Sequence, residues 1–118
     1  MRIFEKDGKI NFVDDNNVFV GFDYTSCCCE DFGYQLSEFI PSSFNEGDNG
    51  INPDGYQFDT NFFKDVSYLD TYDGGAVLFK LDKGAESIYL TLRNSHNGYY
   101  GHGFAMVEGN EIITEGVI

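Results

Sequence analysis

The chain has 118 residues, enough for one domain that buries roughly two thirds of the surface its unfolded form exposes. Its 12 Phe and 8 Tyr argue against intrinsic disorder, and no apolar stretch approaches the length of a membrane helix. The 20 acids and 7 bases give a net charge of −13, which repels phosphates and anionic lipids and so argues against nucleic-acid and membrane partners.

The first half of the chain predicts short β-strands with turns between them. A hairpin is expected around Asp7-Gly8, then a turn at residues 14–17, and a strand at 18–24 that is central because both its faces carry apolar side chains. An irregular turn at the cysteines leads into a strand at 32–37. The polar, acidic stretch 41–55 predicts a surface loop, long enough to be functional or mobile.

The second half predicts further strands and a C-terminal antiparallel meander. The strands are expected at 56–63, 76–82, 87–93, 99–107 and from 111 onward, and the turns at 83–84, 97–98 and 109–110. The fold class is therefore mostly β: a single small antiparallel sheet, a sandwich or a partly open barrel, with at most one or two short helices. The whole chain, 1–118, is expected to form a single domain.

Asn97-Gly98 is the strongest hairpin signal in the sequence, since a two-residue type I′ loop needs positive φ at both positions. Counting outward from this turn pairs Arg93 with His102 and sorts the side chains onto two faces. The face predicted to be the core holds Ile88, Leu90, Leu92, Gly103, Ala105 and Val107. The other face carries aromatic and polar groups and is either a half-buried layer under the long loop or a binding surface. In this register His96 and His102 point to opposite sides and do not share a metal.

Two short motifs carry a family resemblance. Cys28-Cys29-Glu30 precedes a strand, and Asn97-Gly98-Tyr99-Tyr100 follows a strand pair. In these motifs and in element order the chain resembles a family of small uncharacterised phage and bacterial domains. The resemblance implies a compact, mostly β fold in an intracellular or phage context, and no catalytic activity.

The consecutive cysteines Cys27, Cys28 and Cys29 have no distant partner for a disulfide framework, and the N-terminus lacks a signal-peptide pattern, so a cytoplasmic location is expected. Adjacent cysteines do not have the spacing of structural zinc sites, and the nearby acids would raise a thiol pKa. Burial as small hydrophobes is the favoured interpretation, ahead of zinc binding or cysteine catalysis. No metal, cofactor or catalytic residue is predicted.

Two function hypotheses follow. The favoured one is a non-catalytic acidic domain that docks a basic protein, as an immunity protein or a phage-encoded inhibitor does. It rests on the interval between Lys9 and Lys64, which contains no Lys or Arg. Its predicted binding residues are Asp14, Asp15, Asp23, Glu30, Asp31, Glu46, Asp48, Asp54 and Asp59. The alternative is a small-molecule or enzymatic site on the aromatic face, formed by Tyr89, Arg93, Tyr100, His102 and Phe104.

Overall fold

The computed structural model describes residues 1–25, 31–69, 74–95 and 101–118. The described part of the chain forms two antiparallel β-sheets and contains no helix, which confirms the mostly β prediction. None of its elements is therefore a long apolar helix of the kind that spans a membrane.

Sheet I has five strands in the order β1-β2-β3-β9-β10. Its strands are β1 (Arg2–Lys6), β2 (Lys9–Val13), β3 (Val18–Asp23), β9 (Gly103–Glu108) and β10 (Glu111–Val117). The predicted strand at 18–24 is confirmed as central, because β2 pairs with one of its edges and β9 with the other.

Sheet II has the order β4-β8-β7-β5, with β6 also paired to β7. Its strands are β4 (Asp31–Ser37), β5 (Gln57–Phe58), β6 (Lys64–Asp65), β7 (Gly75–Lys83) and β8 (Glu86–Ser95). The two short strands β5 and β6 follow one another along the outer edge of β7. Strand β4 forms the opposite edge of the sheet, and its outer side is open to the loop that follows it.

Two-residue loops close the local hairpins as their sequences predict. Asp7 and Gly8 have φ of 55° and 76°, the two positive values that a type I′ turn requires. Gly109 begins the β9–β10 turn with φ of 61°. The β7–β8 turn was predicted at 83–84, but Lys83 pairs with Glu86, so the loop is one residue later and starts at Gly84 with φ of 60°.

A single apolar core lies between the sheets. Phe12 of sheet I contacts Tyr34 of sheet II edge to face, with ring centroids 5.1 Å apart. On the other side of the core, Phe79 of β7 packs against Phe104 of β9 at 6.1 Å. A smaller cluster on the outer face of sheet II joins Ala76 and Leu78 to Val66 and Leu69, so residues 66–69 cover part of that face.

The hairpin predicted at Asn97-Gly98 is wrong as a strand pairing. Strand β8 lies between β4 and β7, and β9 lies between β3 and β10, so these consecutive strands belong to different sheets. Residues 97 and 98 themselves lie outside the described residues. The physical reason is that β4 and β7 already pair with both edges of β8, and a further strand has no unpaired backbone groups to join.

Because β9 pairs with β3 and not with β8 as predicted, the face of β9 that points into the core is the opposite of the predicted face. The predicted core residues Gly103, Ala105 and Val107 are only half-buried, whereas Phe104 and Met106 are buried in the core. On β8 the prediction is correct, since Ile88, Leu90 and Leu92 are all buried. Alternation along one strand fixes which residues share a face, but the partner strand decides which face meets the core.

The strand predicted at 56–63 is much shorter. Asp59 ends it, because its carboxylate accepts a hydrogen bond from the backbone N–H of Asn61 at 2.9 Å. Its carbonyl also accepts from the N–H of Phe62 at 3.2 Å. An Asp side chain that bonds the backbone two residues later favours a turn over a strand, and only Gln57–Phe58 remains in the sheet.

Candidate docking surface

The loop after β4 returns along the exposed edge of that strand and is hydrogen-bonded to it. The N–H of Gly47 donates to the carbonyl of Tyr34, and the N–H of Leu36 donates to the carbonyl of Gly47, both at 2.9 Å. The side chain of Gln35, which is buried, accepts from the N–H of Asn45 at 2.7 Å. The loop thus covers the strand edge and keeps a fixed position on it.

Two asparagines hold the loop in this shape. Asn49 has φ of 52°, in the left-handed region that Asn tolerates better than most residues. Its side-chain amide donates to the carbonyls of Asn45 at 2.8 Å and of Leu36 at 3.1 Å. The amide of Asn45 donates in turn to Oδ1 of Asn49 at 2.6 Å. The sequence predicted that the loop 41–55 is either functional or mobile. These bonds argue against a mobile loop.

Arg93 supports the loop from below. Its guanidinium lies over the ring of Phe44 at 4.9 Å and 3.4 Å from a carboxylate oxygen of Asp31, and the side chain is 12% exposed. The hydroxyl of Tyr68 donates to the carbonyl of Pro41 at 3.1 Å. A cation on an aromatic ring away from solvent stabilises the packing of both groups. The outer face of β8 is therefore a half-buried layer under the loop, as one of the two interpretations predicted.

The described residues of the alternative small-molecule site do not share one face. Arg93 points outward from sheet II, whereas His102 and Phe104 point into the core between the sheets. His102 is 1% exposed, with its ring 4.3 Å from that of Phe32, and its Nδ1 lies 2.5 Å from the carbonyl oxygen of Asp23. Because a carbonyl only accepts, this geometry requires the proton on Nδ1. The fifth member of that face, Tyr100, lies outside the described residues, and Tyr89 packs against Phe62.

The structure places Asp14 in the interior and not on the protein surface. It is buried, and its carboxylate accepts from the N–H groups of Asn16 at 2.8 Å, Val18 at 3.0 Å and Phe58 at 2.9 Å. These bonds close the β2–β3 turn and attach it to β5. The sequence signal was ambiguous, since an Asp that starts a turn and an Asp on an acidic surface have the same local sequence.

Several other predicted acids are engaged in local contacts. Asp23 accepts from the N–H and hydroxyl of Thr25 at 3.0 and 2.6 Å. Burial would raise the pKa of Asp23, but these bonds and the nearby His102 and Lys9 together lower it. Asp54 lies 3.3 Å from the N-terminal amino group. Asp31 and Asp59 hold the contacts given above, Asp15 is exposed in the β2–β3 turn, and Glu30 lies outside the described residues.

Glu46 and Asp48 are the predicted acids that the loop places together on an exposed surface. They flank Gly47, whose backbone is hydrogen-bonded to Tyr34 and Leu36 of β4. Burial raises the pKa of Tyr24 to about 12, with further increases from the charges of Glu46, Tyr34 and Glu5. The pKa of Tyr34 is also raised, by burial and then by Asp48 and Glu46. We call Tyr24, Tyr34, Glu46 and Asp48 the loop surface.

The sequence reasoning missed both tyrosines of this surface. A usable signal was Gly33 in the middle of β4, where a Cβ atom would lie 2.6 Å from Oε1 of Glu46. Glycine in a strand interior often marks a close approach by another group, and here that group is the carboxylate of the loop. Sequence alone does not show which group approaches.

The described residues contain no group of three or more His, Cys, Asp or Glu side chains placed to hold a metal. The cysteines at 27–29 and His96 lie outside the described residues. Comparison with known proteins finds no match to a family model, a curated protein or a solved structure. The predicted resemblance to phage and bacterial domains stays a prediction, and its motif residues 28–30 and 97–100 also lie outside the described ranges.

Proposed function

We propose that this protein is a non-catalytic interaction domain that binds a basic protein through the loop surface. The observation that carries the proposal is the position of Glu46 and Asp48, both exposed, on a loop that is hydrogen-bonded to β4. This surface lies in the interval between Lys9 and Lys64, which contains no Lys or Arg.

The chemistry of this surface suits Lys and Arg side chains. Carboxylates pair with either cation. The net charge of −13 speeds the encounter with a basic partner, in a way that added salt weakens. A loop that is already ordered loses little conformational entropy when the partner binds.

The role that we propose for such a domain is that of an inhibitor. Proteins that bind nucleic acids present basic grooves, and an acidic surface that occupies such a groove excludes the nucleic acid. An immunity protein that blocks a toxin nuclease and a phage-encoded inhibitor of a host protein both act in this way. Binding and competition with nucleic acid, rather than turnover of a substrate, are the activities to measure.

Calorimetric titration with an oligoarginine peptide tests the binding. We expect the affinity to fall steeply between low and physiological ionic strength. The double variant Glu46→Lys/Asp48→Lys should weaken binding by at least about tenfold, because it removes two attractive charges and adds two repulsive ones.

The matched control is Glu108→Lys/Glu111→Lys, which makes the same charge change on the exposed β9–β10 hairpin of sheet I. We expect this control to lose much less affinity. Equal losses in both double variants would show that the peptide responds to net charge alone, and would contradict a defined docking surface.

A further inference from the structure

Two large apolar side chains are exposed just beyond the end of β4. Phe39 is 77% exposed and Ile40 is 43% exposed. The hydroxyl of Ser37 donates to the carbonyl of Phe39 at 2.8 Å, which fixes the course of the backbone at this point. A single exposed apolar residue is ordinary, but adjacent ones with a polar surround are typical of interaction surfaces.

A surface cavity of about 470 Å³ lies next to Phe39. Its apolar walls include Phe39, Ile51 and the ring of Tyr56, and its acidic walls are Glu38 and Glu86. The hydroxyl of Tyr56 donates to Oε2 of Glu86 at 3.2 Å. The cavity therefore combines two aromatic rings with two carboxylates, which are the groups that bind a guanidinium or an ammonium.

Electrostatic effects on Tyr56 agree with this geometry. Burial, the hydrogen bond to Glu86 and the charges of Glu86 and Glu38 raise the pKa of its hydroxyl. The ammonium of Lys83 lies over the same ring at 5.7 Å, so the chain itself places a cation against Tyr56. The carboxylates of Glu86 and Glu38 therefore act on the hydroxyl end of Tyr56, and the position of Lys83 shows that the face of the ring accepts a cation.

The cavity is continuous with the loop surface. A second depression, of about 290 Å³, shares Glu38, Phe39 and Ile51 with the first and extends to Asn45 and Asn49. These asparagines flank the loop residues Glu46 and Asp48. A partner lying on the loop surface would therefore extend over Phe39 without crossing an intervening element.

We infer that Phe39 is the apolar anchor of the docking surface, and that the adjoining cavity receives a Lys or Arg side chain of the basic partner between Glu38 and Glu86. This inference rests on the proposed function and adds the position at which the partner is held. The choice of occupant follows from charge complementarity, since Glu38 and Glu86 in the cavity and Glu46 and Asp48 beside it are all acidic. Aromatic anchors at the centre of an interface, enclosed by a polar rim, carry a large share of binding energy.

The test uses a peptide that alternates arginine and leucine, so that both the cation and the apolar group are available. In a titration followed by amide chemical shifts, we expect the largest changes at Phe39, Ile51, Tyr56 and Glu86. Phe39→Ala should weaken binding by at least about tenfold, as should Glu38→Gln/Glu86→Gln. Urea unfolding of both variants should match the parent protein, because Phe39 is largely exposed and a glutamine amide oxygen can still accept the hydrogen bond from Tyr56.

Ile112→Ala is the matched control for Phe39→Ala, because Ile112 is 55% exposed and lies on β10, in the other sheet. It should bind the peptide as the parent does. Glu108→Gln/Glu111→Gln controls in the same way for the loss of two charges.

The outcomes separate this inference from the proposed function. If the peptide binds and Glu46→Lys/Asp48→Lys weakens it, while Phe39→Ala and Glu38→Gln/Glu86→Gln stay within about twofold of the parent, the anchor is wrong and the proposed function stands. Shift changes that centre on sheet I would also overturn the anchor. If neither this peptide nor oligoarginine binds at low ionic strength, both proposals fail.

Discussion

The carboxylate of Asp14 joins two parts of the chain that are distant in sequence. It accepts from two N–H groups of its own turn and from the N–H of Phe58, 44 residues later in the sequence. Because Val18 is buried and the Phe58 bond lies in the interior, water cannot replace the lost acceptor. Asp14, which the sequence analysis assigned to the acidic surface, therefore stabilises the fold instead.

We expect Asp14→Ala to lower the free energy of unfolding by about 2–3 kcal/mol, since buried N–H groups lose a charged acceptor. Urea denaturation followed by circular dichroism measures the change. Asp15→Ala, at the exposed neighbouring position, is the control and should change stability by less than about 0.5 kcal/mol. Equal effects at the two positions would contradict the role given to Asp14.

The pKa of Tyr24 depends on its burial and on the charge of the loop surface. Its pKa is raised to about 12, so the folded protein holds the phenolic proton more tightly than the unfolded chain does. Stability from this group is fully present below pH 10, the ordinary pKa, and is lost as the pH rises toward 12.

Absorbance of the phenolate band should therefore show one tyrosine that titrates near pH 12 and is missing in Tyr24→Phe. The free energy of unfolding of the parent should fall more steeply with pH in this alkaline range than that of Tyr24→Phe. Parallel pH profiles for the two proteins would contradict the raised pKa of Tyr24, and with it the burial and the nearby charges that raise it.

In the strands, glycines differ in how close other atoms come to the position that a Cβ atom would occupy. A Cβ atom on Gly74 would lie 1.8 Å from the backbone carbonyl oxygen of Asn94, at the start of the β7–β8 pairing. On Gly103, whose φ is not positive, the nearest atom to a Cβ would be the carbonyl oxygen of Gly116 at 3.8 Å. The first glycine permits a close backbone approach, and the second does not.

We expect Gly74→Ala to destabilise the protein by about 3 kcal/mol or more, because backbone atoms must move to admit the methyl group. Gly103→Ala is the matched substitution and should be neutral or stabilising by up to about 1 kcal/mol, since Ala is favoured over Gly within a strand. Thermal and urea unfolding measure both. A tolerated Gly74→Ala would mean that β7 and β8 do not approach as closely as described.

Pairings between strands that follow one another in the chain differ from pairings between distant strands in how well the sequence predicts them. The hairpins at Asp7-Gly8 and Gly109-Asn110 have two-residue loops, and the residue types in such loops determine their backbone conformation. The pairings of β3 with β9 and of β4 with β8 join segments that are far apart in the chain. No local preference selects between such partners, so a strong turn signal at Asn97-Gly98 led to the wrong sheet for β9.

For the whole molecule, a net charge of −13 on a compact chain is a source of self-repulsion. Salt screens this repulsion, and the described ion pairs that it would also weaken are few and exposed on at least one side. We expect the free energy of unfolding to rise between about 10 mM and about 150 mM NaCl.

Urea unfolding at several salt concentrations tests this expectation, and repeating the series with KCl distinguishes screening from binding of one ion. The same rise in both salts supports general repulsion among the acids. A fall in stability with salt would mean that attractive pairs outweigh repulsion, and would weaken the view of the surface as an unneutralised acidic field.

The sequence by itself determined the mostly β class, the local hairpins, the central position of β3 and the strongly acidic surface. These follow from composition, alternation and turn preferences, which act over a few residues. It also identified Glu46 and Asp48 among the acids, but without distinguishing them from the buried Asp14 or from Asp31, which pairs with Arg93.

The tertiary structure decided which strands share a sheet, which face of β9 meets the core, and where the loop after β4 lies. It joined the segment of Glu46 and Asp48 to the edge of β4, and separated Arg93, under this loop, from His102, in the core. Each of these outcomes depends on contacts between segments distant in sequence. Such contacts are selected by the combined packing of the whole core, which local residue patterns do not encode.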